Sequence, residues 1–205
     1  MIIELYGLPG SGKTTFVRQM EASSNWIRIR MSGKLDIFGH YIWGYLLHPV
    51  VFTKGLVHCM IRNRSLYYLW NFYFVQYAKY QKACHISNND TYAILDEGPL
   101  QTIISYPEAV LTKSDLLSYI RLLPKVDKVI IFNIDQNQRK KQLRERVRNQ
   151  SWRKKHDQDE DWDGFMVQND ALFKEHIRDN PLYYFYNGEV SYEEVKNSMQ
   201  NSVCG

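Results

Sequence analysis

Eight consecutive residues, Gly7-Leu8-Pro9-Gly10-Ser11-Gly12-Lys13-Thr14, have the types and spacing of a loop that grips phosphate. Its glycines let the backbone curl until the N–H groups point inward at an anion; a Cβ at those positions would clash or force a disfavoured φ. A helix starting at Lys13 adds its positive end to the same anion. Lys13 is spaced to reach the β- and γ-phosphates of a nucleoside triphosphate, and the Thr14 hydroxyl to reach Mg²⁺. The expected nucleotide contacts are Gly7, Pro9, Gly10, Ser11, Gly12, Lys13, Thr14 and Thr15, with ATP and Mg²⁺ as the cofactors. A glycine-rich turn can match by accident, but here an apolar strand precedes it and a helical segment follows, which is the context the motif requires.

Three further groups can do chemistry with a bound polyphosphate. Asp96 ends an apolar stretch and is placed to share the metal with Thr14. Glu97 beside it is a candidate to accept a proton from an attacking hydroxyl or to hold the acceptor. The basic run from Arg139 contains Arg144 and Arg148, four residues apart and so on one helical face. Arginine forks there can neutralise the charge that spreads over a transferring phosphoryl group. A mobile lid carrying them would also exclude water. Lys34, Asp36 and His40 are candidates for the acceptor side, although each also reads as an ordinary helix-start residue.

Positioning these groups calls for alternating strands and helices. Ile2–Tyr6 is a short apolar strand, followed by a helix over 14–20. Trp26-Ile27-Arg28-Ile29-Arg30 reads as a strand with one wet face. Residues 35–82 carry long apolar and aromatic runs that predict two or three helices, the last over 65–82. Tyr92–Asp96 is a second buried strand, 126–134 a third, and a basic helix follows over 137–148. A helix over 162–178, a strand over 182–186 and a final helix opened by the capping-box pattern Ser191-Tyr192-Glu193-Glu194 complete the order. This alternation implies an α/β fold with a parallel sheet covered on both faces. Functional groups in such sheets lie beyond the carboxyl ends of the strands, where the glycine-rich loop, Asp96, Glu97 and Asp135 all fall.

With 205 residues, the chain suits one domain with a substantial core. A formal charge of +4 is too mild to argue for nucleic acid as a partner. Cys59, Cys84 and Cys204 have neither metal-ligand spacing nor a pairing pattern, which predicts free thiols in a reducing, cytoplasmic compartment. No apolar run is long enough to span a bilayer, although the basic, aromatic insert suits contact with a membrane surface. A homodimer is left open.

The ordered set of a phosphate loop near residue 10, Asp96-Glu97-Gly98 after a strand, and Ile130-Ile131-Phe132-Asn133-Ile134-Asp135 leading into the arginine-bearing helix resembles the small P-loop kinases of the thymidylate kinase and nucleoside monophosphate kinase type. The resemblance implies a three-layer αβα fold with a central, mainly parallel five-stranded sheet. It implies an acceptor-side helical insert over 35–90 and an arginine-rich lid over 137–160 within one domain spanning 1–205. It also implies Arg144 and Arg148 over the ATP phosphates, and Lys34 and Asp36 beside a small-molecule acceptor. Thymidylate kinases follow the strand carboxylate with an arginine and an aromatic residue, whereas this chain has Glu97-Gly98-Pro99. An acidic residue there suits a neutral hydroxyl acceptor, such as a nucleoside, sugar or glycan, better than a phosphate. The expectation is therefore an ATP- and Mg²⁺-dependent phosphotransferase to a hydroxyl. A monophosphate kinase and a nucleotide switch remain as alternatives.

Overall fold

A computed structural model describes residues 1–22, 25–62, 69–88, 90–105, 109–149, 160–178 and 180–186. The strands are β1 (Ile2–Tyr6), β2 (Trp26–Arg28), β3 (Tyr92–Leu95), β4 (Lys128–Phe132) and β5 (Tyr183–Tyr186). They form one five-stranded sheet in the order β2-β3-β1-β4-β5, with every pairing parallel. Parallel strands need crossover connections, and the helices that supply them cover both faces. On one face α1 (Lys13–Glu21) packs Phe16, Val17 and Met20 against Ile3, Leu5, Ile94 and Ile130. On the other, α4 (Val75–Ile86) sets Ala83 against Ile2, Ala93 and Leu95. Further along that face α5 (Thr102–Ser105), α6 (Lys113–Ile120) and α8 (Glu160–Ile177) bury Ile103, Leu116 and Phe173 against Tyr6, Val129 and Ile131. The α/β architecture, the five parallel strands and the helical cover agree with the sequence expectation.

The boundaries differ in instructive ways. β2 stops at Arg28 rather than Arg30, and its buried residue is Trp26, while Ile27 stays 40% exposed. β2 is the sheet edge, so only one side of it has a strand to pair with. Trp26 stacks on Tyr92 of the neighbouring strand at 4.6 Å and packs under α1. The insert forms α2 (Lys34–Leu47) and α3 (Pro49–Arg62), then a π-helical segment Leu69–Phe74 that runs into α4. The last of these helices continues to Ile86, four residues past the sequence boundary. The basic helix is α7 (Gln136–Asn149). Its start is capped by Asp135, which accepts from the amides of Asn137 (2.8 Å) and Gln138 (3.2 Å). The expected last helix over 191–199 and the charged stretch over 150–159 lie outside the described residues. Among the described residues no helix is long and apolar enough to cross a membrane.

Candidate functional site

The glycine-rich loop connects β1 to α1 at the carboxyl edge of the sheet. Gly7, Gly10 and Gly12 all have positive φ, at 153°, 84° and 91°. At Gly10 a side chain would also meet Leu143 Cγ at 3.1 Å and the Arg139 carbonyl oxygen at 3.3 Å, so the loop is pressed against α7. Gly12 is the residue before α1 and no side chain caps that helix, so its first amides remain directed at the loop. Ser11 is 8% exposed, and among the described residues its hydroxyl has no hydrogen-bond partner. An orphaned buried hydroxyl costs free energy unless something else completes it. A phosphate oxygen would do so.

Lys13 donates to the carbonyls of Gly7 and of Leu8, the latter at 3.2 Å. Its ammonium is parked on the rim of the loop it is expected to serve. Thr14 is half-buried in the first turn of α1, and Thr15 is exposed, with its amide bonded to the Gly12 carbonyl at 3.0 Å. Thr14 and Asp96 offer only oxygen donors, which suit Mg²⁺. Among the described residues no cluster of three or more His, Cys, Asp or Glu side chains gathers to hold a metal alone.

Asp96 follows β3, but its carboxylate is engaged. Arg28, from the end of β2, donates to Asp96 Oδ2 through Nε at 3.0 Å and also through its terminal nitrogen. Lys79 of α4 stands 4.0 Å from Oδ1, and the Glu97 amide donates to the same oxygen at 3.1 Å. Lys79 also donates to the Glu97 carbonyl at 3.2 Å. The Glu97 side chain is exposed. Two cations thus flank the acidic pair that sequence reasoning singled out. Arg28 was visible in the sequence only as a strand residue; its role depends on β2 and β3 being neighbours, with Arg28 in register with Ile94.

At the start of the insert Asp36 is consumed by its own surroundings. Its Oδ2 accepts from the Ser32 amide (2.9 Å), the Ser32 hydroxyl (3.0 Å) and Lys82 Nζ (2.7 Å), and its Oδ1 lies 3.3 Å from His40 Nε2. Lys82 above all, with the Ser32 amide, holds the carboxyl down at about 2. Burial lowers the His40 pKa, against the pull of Asp36. Lys34 at the start of α2 is exposed. Asp36 and His40 line an open groove of about 380 Å³ together with Leu35, Gly39, Trp43 and His85. Arg144 is exposed on α7, and the Arg148 side chain lies outside the described set.

Sequence reasoning missed one arginine of structural weight. Arg139, at the head of the basic run, is fully buried. It donates to the Pro9 carbonyl of the loop at 3.2 Å, to Gln136 Oε1 at 2.9 Å and to both carboxylate oxygens of Asp163 on α8. It ties α7, the glycine-rich loop and α8 together rather than facing solvent. Its signal was its position four residues before Leu143, on the side of α7 that touches the loop.

Among solved structures, the chain is similar to deoxyadenosine kinase from M. mycoides with dCMP and dCDP bound. The two share 16% identity at a TM-score of 0.53, over 99% of this chain and 98% of that one. It is similar too to thymidylate kinase from Candida albicans, at 15% identity and a TM-score of 0.53, over 98% and 90%. The fold is the one those kinases share. At these identities the likeness speaks for architecture along nearly the whole chain, and the chemistry must come from the residues above. No protein-family model and no curated protein matches the sequence.

Proposed function

We propose that this chain is an ATP- and Mg²⁺-dependent phosphotransferase that passes the γ-phosphoryl group to a hydroxyl of a small-molecule acceptor. The carrying observation is the loop of positive-φ glycines that, among the described residues, leaves a buried Ser11 hydroxyl without a partner two residues before Lys13. In this reading the loop amides and Lys13 hold the phosphates, and Thr14 and Asp96 hold the Mg²⁺, which neutralises phosphate charge when bound. The acceptor oxygen forms a bond to the γ-phosphorus while the bond to the bridging oxygen breaks and the diphosphate leaves. The hydroxyl proton passes to Glu97, whose exposed carboxylate lies at the carboxyl edge of the sheet. Arg144 and Arg148 close over the transferring group.

One observation favours a second reading. Arg28 and Lys79 bring two cations to Asp96. If the acceptor carries its own phosphate, Arg28 is the fork that would bind it on leaving Asp96, and the chain is a nucleoside monophosphate kinase. An ATP-consumption screen over nucleosides, monophosphates and sugars, with mass measurement of products, separates the two. A phosphorylated sugar or nucleoside supports the first reading and a nucleoside diphosphate the second. Hydrolysis that no acceptor suppresses would reject both in favour of a nucleotide switch.

A further inference from the structure

The phosphate loop is braced from outside itself. Gln101 lies in the turn that enters α5, and its side-chain amide makes two hydrogen bonds to a single glycine. The Gly7 amide donates to Gln101 Oε1 at 3.0 Å, and Gln101 Nε2 donates to the Gly7 carbonyl at 3.0 Å. That carbonyl is also one of the two on which Lys13 is parked. When Lys13 reaches for a phosphate it must release the Gly7 oxygen, and a carbonyl left unpaired in a part-buried place opposes the move. Gln101 keeps that oxygen paired whether or not Lys13 is there.

Gln101 is itself hung from β1. Its backbone amide donates to Glu4 Oε1 at 3.0 Å. Glu4 is 1% exposed, the single charged residue in an otherwise apolar strand. Gly98 makes room for it: a Cβ there would fall 2.5 Å from the Glu4 carboxyl carbon. Glycine at 98, directly after Asp96-Glu97, thus has a steric cause. Burial raises the Glu4 carboxyl to about 8, against the amides of Gln101 and Leu100 and the charge of Lys79 on α4. The phenols of Tyr6 on β1 and Tyr183 on β5 also interact with it electrostatically, and burial raises both above their ordinary value. Glu4 is therefore largely protonated at neutral pH in the folded chain.

We propose that Glu4 and Gln101 are positioning residues of the phosphate loop: Glu4 holds the 98–101 turn, and through it Gln101 clamps Gly7 while Lys13 moves from the Gly7 carbonyl to a bound phosphate. The inference rests on the triphosphate reading for its purpose, but the clamp itself is testable without nucleotide.

The experiment compares wild type with Gln101→Leu, Glu4→Leu and Glu4→Gln, by amide hydrogen exchange in the nucleotide-free protein and by calorimetry with ATP and Mg²⁺. Gln101→Leu is expected to accelerate exchange at the Gly7 amide and to weaken ATP binding about tenfold, the worth of one hydrogen bond at the upper end of its usual range. Glu4→Leu removes the acceptor for the Gln101 amide and is expected to copy it. Closing the turn over Glu4 takes up a proton. Protection of the Gln101 amide, corrected for the intrinsic rate, is therefore expected to fall in wild type as pH rises from about 5 to about 8. Glu4→Gln keeps an oxygen there but cannot ionise, so its profile is expected to be flat. A merely structural Glu4 would not produce that difference at one amide. Unaltered Gly7 exchange in Gln101→Leu overturns the proposal even if Glu4→Leu fails to fold. If wild type takes up no triphosphate, the functional reading falls, and Gly7 exchange still decides whether the clamp exists.

Discussion

The glycine-rich loop and the charged cluster around Asp36 and Asp96 are built on opposite plans. In the loop, the Ser11 hydroxyl has no hydrogen-bond partner among the described residues, and Lys13 rests on the Gly7 and Leu8 carbonyls. In the cluster, charged groups satisfy one another: Asp36 with Lys82, Ser32 and His40, and Arg28 with Asp96. A site made from backbone amides is preorganised, because its donors are fixed by φ and ψ before anything binds. A site made from paired side chains must exchange those pairs for ligand, so part of its binding energy is used in breaking them.

That contrast can be broken by mutation. The largest effect is expected at Lys13→Ala, which should lower turnover about a hundredfold or more, read as ATP consumption with the acceptor found by the screen. Full retained turnover would mean that the loop is not the phosphate site. Arg139→Ala comes next. It strips the Pro9 carbonyl and Asp163 of a fully buried partner, and should cost about 3 kcal/mol in denaturant unfolding.

The pH dependence of stability follows. Glu4 has its carboxyl raised from 4.5 to about 8 in the fold, so the folded state holds the proton more tightly than the unfolded chain. Its contribution is largest at low pH and is lost as pH rises through the window between those values. Wild type should lose up to a few kcal/mol across it relative to Glu4→Gln, measured as urea midpoints. The smallest effect is expected at Asp36→Asn, whose partners are partly exposed: under about 1 kcal/mol, appearing above pH 4 and absent near pH 2. A large loss of acceptor affinity in that variant with intact stability would show that the Asp36 pairs do open for ligand.

What the sequence disclosed tracks this same division. The curled path of the glycine-rich loop was legible because glycine spacing dictates a backbone path, and β1, β3 and β4 because short apolar runs bounded by turns have few other readings. The Arg28–Asp96 pair was not, since it depends on which strands lie side by side. Arg139 was hidden in a run of exposed cations, and only the packing of α7 against the loop and α8 distinguishes it. The insert resisted reading because apolar residues cover most of its helices. The structure shows why: Tyr41, Tyr73 and Tyr77 are buried, while Leu35, Phe38, Trp43 and Leu46 on the same hairpin are exposed.

Two glycines inside that insert fix how its helices sit against one another. A side chain at Gly44 of α2 would fall 2.4 Å from the ring of Phe52, and one at Gly55 of α3 2.2 Å from the Tyr77 hydroxyl. Each ring is a peg seated in a notch, and together they lock α2, α3 and α4 against sliding. The spacing of these three helices is thus set by ring size. A larger ring at either place would have to push two helices apart, and a smaller one would leave its notch unfilled.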